Sequence, residues 1–184
     1  MLEFVSFSKV LDTIDRKERS RLDPLGFMEI IIWLLYRLVE ATELGQPRSS
    51  IPEGQYASVV NLGMLAFMTT LLPEYGRAPH RSNYPLLCRR LKSAIQDLYF
   101  TSTLVENRES WLLLLWALLM GGITAIKGNE LLELSPLILE ASSRLQLHSW
   151  PAVQDQLCRF PWIGTLHNRP GIELWENSQK HTRT

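Results

Sequence analysis

The stretch Ser110–Ile126, SWLLLLWALLMGGITAI, runs for 17 residues without a charge and constrains this chain more than any other segment. As an α-helix it would span about 25 Å, short of the roughly 30 Å hydrocarbon core of a bilayer. Arg108-Glu109 and Lys127 put charges at both of its ends. The length argues for the buried central helix of an α domain and against a membrane span. A helix that is apolar all round has to be covered all round. The rest of the chain must therefore supply the wrapping. Asn107 or Ser110 leads into this helix. Lys127-Gly128 would end it, with a cation near the negative pole and a glycine after it. Gly121-Gly122 permits close approach of another helix, or marks a kink.

Helix punctuation recurs on both sides. Asp23-Pro24 opens a helix carrying Ile30, Ile31, Trp33, Leu34, Leu35, Leu38 and Val39, with Gly45 as its stop. A second runs from about Glu53 to Leu72. It ends at Pro73 and is apolar nearly all round from Val59. Residues 73–83 (PEYGRAPHRSN) form a loop. The next helix starts near Pro85, where Leu87, Leu91, Ala94 and Leu98 make a narrow stripe toward one partner. Ser135-Pro136 opens a helix over 136–146, and Ser149-Trp150-Pro151 opens a short one to about Arg159. From Phe160 to Glu176 the chain is rich in Pro, Gly and Trp and is expected to pack as irregular backbone. No stretch alternates as a strand does.

The expected fold is all-α, an irregular array of about six to seven helices around a central apolar helix at about 109–127. The expected layout is an N-terminal segment over 1–20, one helical domain over 21–176 and a mobile tail over 177–184. The N-terminal segment holds a short helix ending in the solvated run Asp15–Arg19. Trp111, Trp116, Gly121, Gly122, Trp150, Phe160, Pro161, Trp162, Pro170, Gly171 and Trp175 are the positions expected to fix the closing segment on the central helix.

Lysines and arginines number 19, as do aspartates and glutamates, so the whole chain has no bulk attraction to nucleic acid or anionic membrane. Cys88 and Cys158 lie 70 residues apart and make neither a disulfide framework nor a paired-cysteine metal set. They are expected to stay reduced in a cytosolic or nuclear compartment. The opening MLEFVSFSKVLD has no basic region and does not read as a secretory signal.

Searching for chemistry yields no glycine-rich phosphate loop, no G-x-S-x-G and no H-E-x-x-H. His80, His148, His167 and His181 are scattered, and nothing in the spacing of His148 and Cys158 requires a metal. No catalytic, cofactor-binding or metal-binding residue is expected, and the chain does not read as an enzyme. One charge feature stands out. Arg77, Arg81, Arg89, Arg90 and Lys92 fall between Tyr75 and Gln96 with no acid among them. They form either a basic contact surface for phosphate or an acidic partner, or an ordinary solvated face balanced by acids elsewhere.

Five blocks in order resemble a known family. They are RLDPLGFMEIIIWLLYRLV (21–39), NLGMLAFMTTLLP (61–73), YPLLCRRLKSAIQ (84–96), LLLLWALLMGGITA (112–125) and WPAVQDQLCRFPWIGTLHNRPGIELWE (150–176). Together they look like the C-terminal region of fungal binuclear zinc-cluster transcription factors. The resemblance implies an all-helical regulatory domain attached to a DNA-binding head. That head is built from closely spaced cysteines, and no such set exists here. The chain is therefore either a headless relative or a fragment of a longer reading frame. On its own it is expected to make no sequence-specific DNA contact. Its implied partners are other transcription regulators or itself, in the nucleus or held in the cytoplasm. A helical receptor for a small apolar metabolite is the alternative.

Overall fold

A computed structural model describes residues 5–6, 8–9, 24–42, 52–72, 84–100, 107–126 and 129–180. Seven helices appear among them: α1 (Pro24–Thr42), α2 (Pro52–Thr69), α3 (Pro85–Tyr99), α4 (Arg108–Thr124), α5 (Asn129–Arg144), α6 (Trp150–Leu157) and α7 (Gly164–Lys180). No strand occurs among the described residues, and the fold is all-α. Val5, Ser6, Ser8 and Lys9 have helical backbone. The run Asp15–Arg19, Asp23, Gly45, the loop 73–83 and Lys127-Gly128 lie outside the described residues.

α4 is the helix that the uncharged run predicts. Asn107 caps it by accepting a hydrogen bond from the Glu109 N–H at 3.0 Å. Every residue from Ser110 to Ile126 is buried. α2, α3, α5, α6 and α7 all pack on it. Its two buried hydroxyls are satisfied: Ser110 shares a 2.7 Å hydrogen bond with the Tyr56 hydroxyl, and Thr124 donates to the Met120 carbonyl.

Trp116 binds α4 to two neighbours at once. Its ring lies against Gly63 of α2, where a Cβ would come within 2.6 Å of it. The same ring stacks on Phe160, centroids 5.4 Å apart and planes 15° apart. Its indole N–H donates to the Pro161 carbonyl at 3.1 Å. A second aromatic cluster joins α6 to α7. Trp150 packs against Trp162 and Trp175 around Gly171, where a Cβ would meet both the Trp150 and Trp162 rings. Trp175 reaches α5 through a hydrogen bond to Ser142.

The structure corrects the sequence reading in several places. Residues 164–180 form a regular helix, not irregular backbone, with Pro170 inside it. Residues 177–180, assigned to a tail, are its last turn, and Ser178 is buried there. Pro136 likewise sits inside α5 and does not start it, and Ser135 donates back to the Leu131 carbonyl instead of capping. An interior proline costs a helix roughly 3 kcal/mol because it removes one hydrogen bond and crowds the preceding turn. Here each proline deprives a carbonyl on a partly exposed side: Leu132 ahead of Pro136 and Leu166 ahead of Pro170. Water can take those carbonyls, and buried residues on either side of each proline, Leu134 and Ile138 on α5 and His167 and Leu174 on α7, hold the helices through the break.

Smaller differences have equally local causes. α2 stops at Thr69 and not Leu72, because Thr69 and Thr70 turn their hydroxyls onto the Ala66 and Phe67 carbonyls. The buried face of α3 is Cys88, Leu91, Ala94, Ile95 and Leu98, while Leu87 is only half-buried at its edge. α5 ends by a Schellman turn, with the Leu147 N–H bonded to the Ser142 carbonyl and Gln146 in the left-handed region at φ 58°.

The two kinds of glycine contact predict opposite sensitivities. Gly63→Ala pushes a methyl into a rigid indole and should cost about 1–3 kcal/mol. Gly121→Ala meets only the flexible ends of Ile126 and Leu91, at 3.0 Å. It also gains up to about 1 kcal/mol of helix propensity, so it should be near neutral. Urea unfolding of the two variants checks the contrast.

Candidate interaction surface

The described residues contain no group of three or more His, Cys, Asp or Glu side chains able to hold a metal ion. Among them, no helix is long and apolar enough to cross a membrane. His148 and Cys158 are exposed, Cys88 is buried, and His80 and His181 lie outside the described residues.

His167 is the imidazole that the fold uses. It is fully buried between α2 and α7, edge-on to the Phe67 and Trp162 rings. Its Nδ1 accepts from the Ile163 N–H at 2.9 Å, satisfying a free donor ahead of α7. Its proton therefore sits on Nε2, which faces Thr70 Oγ1 at 3.0 Å. Thr70 in turn donates to the Phe67 carbonyl. Burial lowers the His167 pKa to about 3 from 6.5. Sequence reasoning passed over this residue, because a lone histidine in an aromatic-rich segment has no spacing to mark it.

Of the five basic residues, the structure describes Arg89, Arg90 and Lys92, all on α3. Lys92 is bonded to Glu133 of α5 at 2.7 Å. Arg89 is exposed and Arg90 half-buried on α3, while Arg77 and Arg81 lie outside the described residues. Glu133 thus balances the charge of Lys92. Nearby, Tyr99 donates to Glu140 at 2.7 Å, and that hydrogen bond raises the tyrosine pKa above its ordinary value. An open cleft of about 410 Å³ lies between α5 and α7, bordered by Leu132, Pro136, Leu139 and Arg144. It is a surface groove and not an enclosed apolar chamber.

The surface that stands out is the outer face of α1. The sequence places Ile30, Trp33 and Val39 in one apolar set with Ile31 and Leu38, and the structure leaves these three exposed. Among the described side chains of α1, only Ile31 and Leu38 are buried, with Leu34 and Leu35 half-buried. Among the described residues α1 packs chiefly on α2, so one side of this largely apolar helix finds cover there. Leu25 is 69% exposed, Ile32 56%, Trp33 57% and Tyr36 70%; Ile30 and Val39 are exposed too. The Arg37 guanidinium lies over the Trp33 ring at 5.3 Å. The spacing Leu25, Ile32, Val39, one heptad apart with Tyr36 between, was present in the sequence as a signal of a second apolar stripe. Clustered exposed apolar side chains of this kind mark contact surfaces.

No family model matches the chain, and comparisons with curated proteins and with solved structures return no match.

His167 makes a pH prediction. The unfolded chain binds its proton below about pH 6.5, while the folded chain resists it down to about pH 3. The stability from the neutral ring is complete above pH 6.5 and is lost as pH falls through this window, by at most about 1.4 kcal/mol per pH unit. Thermal unfolding between pH 7 and 4 should show this slope, and His167→Gln should flatten it while lowering stability at pH 7.

Proposed function

We propose that this chain is a transcription-regulator-like helical interaction domain that acts through protein–protein contacts and not through catalysis. The observation that carries this reading is the uncovered apolar face of α1 on a domain whose other apolar elements close around α4. That face suits helix-on-helix contact, in which an amphipathic partner lays its apolar side along the stripe. The ordered resemblance of residues 21–176 to the C-terminal region of zinc-cluster transcription factors supplies the kind of partner. Such a domain works in the nucleus, or is held in the cytoplasm until a partner carries it in. These 184 residues hold no paired-cysteine set, so they reach sequence-specific DNA sites through the zinc-cluster head of a regulator. By pairing with that regulator it withdraws copies from productive dimers.

The test is direct mixing. The purified chain and a full-length zinc-cluster regulator carrying the same ordered C-terminal blocks should co-elute in size-exclusion chromatography with light scattering. Trp33→Glu combined with Tyr36→Glu should abolish co-elution at unchanged melting temperature, since both side chains are exposed. Independent elution of the wild-type chain from every such regulator contradicts the proposal.

A further inference from the structure

The outer face of α1 has an internal symmetry that identifies an occupant. The geometry points to a second copy of this chain, docked α1 against α1 in antiparallel orientation about Trp33. This rests on the reading of the domain as an interaction module. Glu29 and Arg37 stand four residues to either side of Trp33, each about 6 Å from it along the helix axis. Both are exposed, and neither has an ion-pair partner among the described residues.

In an antiparallel pair with its two-fold axis at Trp33, positions equidistant from Trp33 come level. Glu29 of each copy then meets the level of Arg37 of the other, and Ile30 meets the level of Tyr36. Trp33 faces its own counterpart at the centre. The contact is self-complementary, as a two-fold interface requires. The parallel arrangement would set Glu29 beside Glu29 and Arg37 beside Arg37, and like charges would oppose it. Arg37 already leans over Trp33, which brings its guanidinium toward the middle of the face.

The area fits a small, reversible dimer. A whole aromatic side chain presents roughly 150–250 Å², so Trp33 and Tyr36 at their observed exposure leave on the order of 250 Å² uncovered. Leu25, Ile30, Ile32 and Val39 extend that surface along a helix about 28 Å long. The sum belongs at the lower end of specific interfaces, below about 600 Å² per partner. Self-association should therefore depend visibly on concentration.

Sedimentation equilibrium of the full chain over a concentration series tests this. The wild-type mass should climb from monomer to dimer. Glu29→Arg alone and Arg37→Glu alone should each move the midpoint to at least about tenfold higher concentration. An equimolar mixture of the two variants should dimerise again, because one then carries two bases at these positions and the other two acids. Circular dichroism should show both variants folded, since both positions are exposed. A wild-type chain that stays monomeric throughout overturns the inference, and so does a mixture that associates no better than its components. Monomeric behaviour alongside retained binding of zinc-cluster regulators would hand the face to another protein and leave the interaction-module reading standing. Charge-dependent dimers that bind no such regulator would do the reverse.

Discussion

The complete burial of α4 decides where everything else must go. Its backbone costs little to enclose, because a helix satisfies its own N–H and C=O groups. Its side chains, Leu112 to Leu119 above all, leave no direction free for solvent. Five helices are therefore drawn onto it, and the apolar side of each is committed inward. Trp116 shows how tightly this is specified. One indole fits against the bare backbone of Gly63, stacks on Phe160 and hydrogen-bonds the Pro161 carbonyl. Removing the ring would loosen α2 and the link between α6 and α7 together.

Interior polar groups follow the same rule of full satisfaction. No buried side-chain nitrogen or oxygen among the described residues lacks a hydrogen-bond partner. Thr70, His167 and Ile163 form a chain that joins the end of α2 to the start of α7. Such a network rigidifies when complete and is costly when broken. A neutral imidazole can join it, and an imidazolium would lose the Nδ1 acceptor on which the Ile163 N–H depends. With inward faces committed this way, function moves to the outside, and α1 offers the apolar outer face.

Much of this was legible in the sequence, for identifiable reasons. Uncharged length marked α4, and the Pro85 and Trp150-Pro151 signals marked α3 and α6. Trp116, Gly122 and the rings and glycine from Trp150 to Trp175 were legible as packing residues of the closing segment, whereas Trp111 and Gly121 face Tyr99 and Leu91 of α3. α7 was not legible. Gly164, Pro170 and Gly171 argue locally against a helix, and only the tertiary fit of Gly171 under two tryptophans overrides them. α5 was shortened for the same reason at Pro136. On α1 the pattern stops short of burial: an apolar residue says that it prefers cover, not that cover exists, and Trp33 stays 57% exposed. The basic run around Lys92 was readable as charge, but its acid at Glu133 is 41 residues distant and no local pattern announces it.

Native-state hydrogen exchange tests the central claim most directly. If α4 is sealed on every side, its amides from Leu112 to Ile123 should exchange only through global unfolding, at the free energy found by denaturant. α1, held mainly by α2, should open at clearly lower free energy. Exchange of the α4 amides through local opening, at a free energy equal to that of α1, would contradict the account.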